Sequence, residues 1–315
     1  KKMRTNAASA PLICPDYAGL EKREREKAQK EQLIFGEAYF GKLGFPEYRN
    51  VCQRYGATGK EDEKTYKKWL KEYAKNQEKR DEKYAEEQDV SLSYVRYKKR
   101  TDTDFLLLFA KNPTRETIHQ TYAIETIKQN LPYFSSFRAL PAGGKNALYI
   151  INGEISGQEA RKKTKRAVKS IDAEGILNVA GKEIRIYFSL KYTKDAGGAQ
   201  DNQYGDLITF LKEGAKNEEK DVFFIAIADG EYYKKKETKY AEKEESRLEY
   251  LNTAFGPRCR AASLENLEGV IIEIILENLN EQEESEENKK LQKELKERLE
   301  SLEREGVAQC PSFFC

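Results

Sequence analysis

Nine residues from Ile184 to Tyr192 alternate strictly. Ile184, Ile186, Phe188 and Leu190 point one way, and Arg185, Tyr187, Ser189 and Lys191 the other, which is the period of a β-strand. Thirty residues on, Val222-Phe-Phe-Ile-Ala-Ile-Ala228 is continuously apolar. Such a run fits a strand buried on both faces, so helices must cover the sheet from above and below. Between the two strands lie a glycine pair, Gly197-Gly198, and a segment with helical character around Thr209 to Lys212. The local order is therefore strand, helix, strand. The fold class expected is α/β (α+β), a mixed central sheet flanked by helices.

Only 38% of the 315 residues are hydrophobic and 35% are charged, so charged helical additions should surround the core. Residues 1–100 read as a charged, mainly helical region. Residues 101–275 carry the α/β core, and residues 276–315 an amphipathic helix and tail. Tyr66, Trp69, Leu70 and Tyr73 recur at helical spacing, as a packed stripe or as a face toward DNA. Leu92, Tyr94, Arg96 and the run Lys98-Lys99-Arg100 follow, as phosphate contacts or as a solvated linker. Thr114 can cap a helix carrying Thr117, Ile118, Thr121, Ile124 and Ile127, and Pro132 ends it. A turn at Leu140-Pro-Ala-Gly-Gly144 precedes a strand at Ala147–Ile151, and Asn152-Gly153 turns the chain. Val168 to Asp172 is strand-like. Cys259 to Ala262 and Leu264 to Leu276 give a last short strand and a helix. Leu291, Leu295, Leu299 and Leu302 form an apolar helix stripe that needs a partner, its own body or another subunit.

Several function classes drop out. No apolar run approaches the roughly 18 residues of a membrane span, and Lys1 to Leu12 lack the apolar stretch of a secretory signal. Five cysteines at scattered spacing argue for free thiols in a reducing, cytoplasmic setting. The single histidine, His119, excludes sites needing two histidines. Gly143-Gly144-Lys145 lacks phosphate-loop spacing, so no nucleotide cofactor is expected. The net charge is only +2, yet charge is unevenly spread. Ser156 to Gln200 holds ten Lys/Arg against five Asp/Glu, whereas Glu281 to Glu305 holds six against ten. The dense cluster Arg161, Lys162, Lys163, Lys165, Arg166 and Lys169, with Lys145, could neutralise DNA phosphates.

Asp172 precedes the alternating strand, and Ser189 and Lys191 share one face of it. Acids on adjacent strands can hold Mg²⁺, and a lysine on the same face can orient water and stabilise charge. With Asp172, Ser189-Leu190-Lys191, a helix at 199–212 and a buried strand at 222–230, residues Phe105 to Leu267 resemble the PD-(D/E)xK nuclease superfamily, and most closely its type II restriction endonucleases. Gln200 and Tyr204 are similar to the QxxxY element of some branches. The resemblance implies a restriction-endonuclease-like core and a Mg²⁺-dependent endonuclease acting on double-stranded DNA as a homodimer. Asp172 would bind metal, Lys191 would orient water, and Ser189 and Gln200 would complete the catalytic group. The N-terminal helices and loops near residues 136–146 would read DNA, and the Leu291–Leu302 helix could serve the dimer.

The chain departs from the family pattern twice. Ile171 stands for the motif proline, and Ser189 for the metal-binding acid. Some members with serine there recruit a carboxylate from the following helix. Candidates are Asp195, Asp201 and Asp206, with Glu174 and Glu125 as others, and Asp201 is favoured. The one literal Pro-Asp pair, Pro15-Asp16, has no strand after it and is set aside. Two alternatives stay open: a repair or recombination nuclease of the same fold, and a DNA-binding or scaffold protein with an inactive nuclease core.

Overall fold

A computed structural model of the chain describes residues 17–55, 63–110, 115–164, 168, 170–193, 198–237, 245–282 and 285–305. It divides into two compact units, Asp16–Ile118 and His119–Cys315.

The first unit is helical. Its elements are α1 (Tyr17–Tyr39), α2 (Phe45–Tyr55), α3 (Glu63–Glu87), α4 (Leu92–Thr101) and α5 (Thr103–Leu107). One core is aromatic. Tyr48 and Tyr66 are buried, and Phe35, Trp69 and Leu70 pack on them. Ring centroids lie 4.4 Å apart for Phe35–Trp69 and 4.6 Å for Tyr48–Tyr66. The aromatic stripe of α3 is thus core, and Tyr73 donates its hydroxyl hydrogen bond to Gln32. A second core forms around Val95 and Phe109. There the Lys99 ammonium is buried, 2.6 Å from Asp81 and 2.7 Å from Gln77 Oε1, and over the Phe109 ring. Lys99 therefore leaves the basic surface run. Ser91 caps α4 by accepting from the Tyr94 N–H, and Asp102 caps α5 by accepting from Phe105.

The second unit is a three-layer α/β body. Chain order runs α6 (Arg115–Asn130, which starts just before it), β1 (Phe134–Ala139), β2 (Leu148–Ile151), β3 (Glu154–Gly157), α7 (Gln158–Lys163), β4 (Ala173–Val179) and β5 (Lys182–Tyr192). It continues with α8 (Gly198–Gly214), β6 (Val222–Asp229), α9 (Glu231–Lys234), β7 (Lys236–Glu237), β8 (Glu245–Ser246) and α10 (Arg247–Thr253). β9 (Cys259–Ala262), α11 (Leu267–Asn280) and α12 (Glu286–Arg304) complete it. The central sheet has the order β1-β4-β5-β6-β9. β1, β4 and β5 are antiparallel neighbours, and β5, β6 and β9 run parallel.

Residue parity decides the two cores. Ile184, Ile186, Phe188 and Leu190 face a core shared with α6, α11 and α12. Tyr187 faces the other, shared with α8, α10 and the β2–β3 hairpin. All eight residues of β6 are buried. The α12 leucines are spent internally: Leu295 and Leu302 are buried and Leu291 and Leu299 pack beside them. Arg298 fastens this helix by two bonds to Glu268, at 3.0 and 2.7 Å. The apolar stripe of α12 is therefore not a dimer face.

Two expectations need correction. The strand preceding β5 is Ala173–Val179, not 168–172; Ser170 makes only an isolated bridge to Tyr149. Part of the expected reading loop 136–146 is strand β1, held against β4. The Asn152-Gly153 turn is as expected, with positive φ at both residues (55° and 89°). It docks on the end of α8. The Asn152 N–H donates to Glu213 at 2.8 Å, and a Cβ on Gly153 would lie 2.7 Å from the Lys216 carbonyl oxygen.

Candidate active site

The main chain around Asp172 is held by three neighbours. The Ile171 N–H donates to the Leu148 carbonyl at 2.8 Å, the Asp172 N–H to Phe188 at 2.9 Å, and Leu140 N–H to the Asp172 carbonyl at 2.9 Å. Asp172 thus sits immediately before β4, beside the carboxyl end of β5. In sheets with parallel strands, ligand crevices open at that end.

Side chains converge there. Asp172 Oδ2 accepts from the Leu190 N–H at 2.8 Å and from Ser189 Oγ at 3.4 Å. Ser189 is buried. Lys191 follows two residues later on the same face, opposite Ala228 of β6. The structure therefore brings Asp172 and Ser189 into contact and sets Lys191 on their strand face. The main-chain donor and the Ser189 hydroxyl fix the position of the carboxylate.

The other candidate carboxylates are engaged elsewhere. Glu174 is buried, and Arg138 donates to it through Nε at 2.6 Å. Arg185 Nε lies 3.7 Å from its other oxygen. Two guanidinium groups hold this carboxylate as part of a strand-to-strand ion network. Glu125 lies on the exposed side of α6 and pairs with Lys128 at 3.7 Å, whereas Ala123, Ile124 and Ile127 of that helix face the core. Asp201, in the first turn of α8, accepts from the Tyr232 hydroxyl at 2.5 Å. Tyr232 is in turn covered by Arg247, whose guanidinium carbon lies 3.9 Å from the ring centroid. Asp206 lies further along α8, where its charge, with that of Asp229, acts on Tyr233. Burial is the main cause that pushes the Tyr233 hydroxyl up to about 12. Gln200 lies in the first turn of α8. Tyr204 is buried, and its hydroxyl donates to the Arg247 carbonyl at 3.4 Å, so Tyr204 ties helices together. Asp195 lies outside the described residues.

Gly230 shapes the turn after β6. Its φ is 103°, and a Cβ there would overlap the Thr193 carbonyl. That approach lets the Thr193 hydroxyl donate to Gln203 Oε1 at 2.7 Å and join α8 to the end of β5. His119 is buried with its ring 4.0 Å from that of Tyr192, edge-on, so it packs beside the end of β5.

The basic residues form a separate surface. Arg161, Lys162 and Lys163 lie in the last turn of α7, with Lys162 donating to Glu159 at 2.9 Å. Lys145 and Lys162 line a depression of about 540 Å³ with Gly144, Gly157, Gln158, Glu159 and Ala160. Tyr149 braces it, donating to Gln158 at 2.8 Å and lying 3.3 Å from the Ala142 carbonyl oxygen. β2 also carries the Leu148 carbonyl that holds Ile171, next to Asp172. Lys165, Arg166 and Lys169 lie outside the described residues. The Arg138–Glu174–Arg185 network and the Tyr232–Arg247 stack were not singled out in the sequence; neither has a spacing signature there.

Mg²⁺ is held by hard oxygen donors, through one or two carboxylates with water and substrate phosphate. Asp172 and Ser189 offer one carboxylate and one hydroxyl, an all-oxygen set that fits this ion when the substrate supplies further oxygens. Among the described residues, no three His, Cys, Asp or Glu side chains are grouped as metal ligands. No protein-family model, curated protein or solved structure matches the chain.

Proposed function

We propose that this protein is a Mg²⁺-dependent DNA endonuclease with its active site at Asp172, Ser189 and Lys191, and that it acts as a type II restriction enzyme on double-stranded DNA. One observation carries the reading. The Asp172 carboxylate is held by the Leu190 N–H and Ser189 at the strand end that also bears Lys191. The placement of α6 before the sheet, Asp172 before β4, Ser189 and Lys191 on β5, and then α8 and the buried β6 supports it, because the resemblance implies a helix, an acid, the lysine-bearing strand, a helix and a buried strand in that order.

When bound, Mg²⁺ would neutralise phosphate charge and acidify a water molecule. Asp172 and Ser189 would hold it. Lys191 would orient the attacking water and stabilise the charge that develops on the phosphate. Lys145, Arg161, Lys162 and Lys163 would bind backbone phosphates beside the Asp172 segment. A homodimer on a palindromic target would need a surface other than the apolar stripe of α12.

Two observations favour a second reading, a nuclease-like core that binds DNA without cutting it. Ser189 stands where an acid would be, and Arg138 and Arg185 occupy the Glu174 carboxylate. Incubation with plasmid DNA and Mg²⁺, followed by mapping of the ends, separates the readings. Fixed ends at one short sequence support restriction cleavage. Structure-dependent ends point to a repair nuclease. Intact plasmid with both Mg²⁺ and Mn²⁺ removes the endonuclease reading.

A further inference from the structure

The helical unit carries a surface that the cleavage site does not explain. Among the described residues, the large apolar side chains left exposed are Tyr94 (45%), Tyr97 (65%) and Leu108 (66%). Tyr94 and Tyr97 lie on α4, and Leu108 is the residue that follows α5. Soluble surfaces that cluster large apolar groups mark interaction sites.

The chemistry of this face is specific. The α4 sequence, LSYVRYKKRT, holds four cations and no acid. Lys99 is turned inward to Asp81, which fixes the helix to the body. Arg96 pairs with Glu78 at 2.8 Å, both half-exposed, and Lys98 with Asp102 at 2.9 Å. Asp104 lies beyond, in the first turn of α5. Among the described residues Arg100 meets no carboxylate, and its carbonyl accepts from the Lys42 ammonium at 3.0 Å. Lys98 lies within electrostatic reach of both tyrosines, and the Phe105 ring meets Tyr94 edge-on at 6.4 Å. Two exposed aromatic rings, Tyr94 supported by Phe105 and Tyr97 open to solvent, are therefore interleaved with guanidinium and ammonium groups on α4.

We propose that the outward face of α4 binds an unpaired nucleic-acid strand. Tyr97 and Tyr94 stack on bases, and Arg100 with Lys42 meets the phosphates. Tyrosine faces need exposed base faces, which a duplex hides, and stacking on aromatic rings beside cations is the chemistry of single-strand binding. The inference goes beyond the cleavage site and stands on residues 42–108 alone.

Fluorescence anisotropy of a labelled oligothymidylate with the full chain tests it. The wild type should bind the oligothymidylate more tightly than a hairpin duplex of equal charge. Tyr97→Ala should weaken binding roughly tenfold, while Tyr97→Phe keeps it. Arg100→Gln should lower the slope of log affinity against log salt by about 0.7. The readout is oligothymidylate binding without divalent metal, which separates this result from any failure of the cleavage reading. The proposal falls if the wild type does not bind the oligothymidylate or if Tyr97→Ala binds it equally well. It also falls if Tyr97→Ala changes only the oligomeric mass in light scattering, because the face would then belong to a second copy of the chain.

Discussion

Replacing Ser189 with aspartate would place a second carboxylate beside Asp172. Ser189 is buried, and its Oγ lies 3.4 Å from Asp172 Oδ2. Two unit charges about 4 Å apart repel by about 4 kcal/mol at an effective dielectric of about 20. For a unit of this size, each kcal/mol moves Tm by about 2–4 °C, so Ser189→Asp should melt about 8–16 °C below the wild type at pH 8. The introduced carboxyl has a folded-state pKa raised above its unfolded value near 3.9. The penalty should therefore be absent below about pH 4 and grow as pH rises through the raised pKa. If the site takes Mg²⁺, the ion should bind this folded variant strongly. At about 100 times its Kd it should restore about 2.7 kcal/mol, or about 5–11 °C. Thermal melts of wild type, Ser189→Asp and Ser189→Asp with Asp172→Asn, each with and without Mg²⁺, make the comparison. The double variant should recover stability without the ion. The reasoning is refuted if Ser189→Asp melts like the wild type, or if Mg²⁺ raises both proteins equally.

Other outcomes follow from the packing. Lys99→Met alone should cost about 3–5 kcal/mol in urea unfolding, because Asp81 would be left buried and unpaired; adding Asp81→Leu should recover most of it. Leu295→Ala should cost about 2–5 kcal/mol, since the side chain is fully covered beneath α12. Burial pushes the Cys259 thiol up from its ordinary 9.0 to about 11. Its folded pKa is raised, so its contribution to stability is complete below pH 9 and lost as pH rises toward about 11. Cys259→Ala should flatten that alkaline decline in pH-dependent melts, and alkylation of native protein at pH 7.5 should spare the Cys259 peptide.

Much of the second unit was legible because its strands obey simple periodicities. β5 alternates, β6 is apolar throughout, and Asn152-Gly153 is a turn pair that positive φ demands. β1 was hidden by a bulge between Phe134 and Ser136. It breaks the two-residue period and sets Phe134 and Phe137 both against Phe188. β4 was misplaced because its inward positions include Ala173 and Gly175. Gly175 must be small: a Cβ there would lie 2.6 Å from the Phe134 ring. The partners of Glu174 and Asp201 were illegible because Arg138 is 36 residues and Tyr232 31 residues distant in sequence. Likewise, nothing local in the Lys98-Lys99-Arg100 run tells that its middle lysine turns inward to Asp81.

The most direct measurement of the central claim is single-turnover cleavage of plasmid DNA with Mg²⁺, run beside equilibrium DNA binding, for wild type, Asp172→Ala and Lys191→Ala. The account predicts cutting by the wild type and a loss of cutting of at least about 100-fold in each variant, with binding within a few-fold of wild type. Cutting by Asp172→Ala at the wild-type rate would contradict it, because the carboxylate held by Leu190 and Ser189 would then not be the catalytic one.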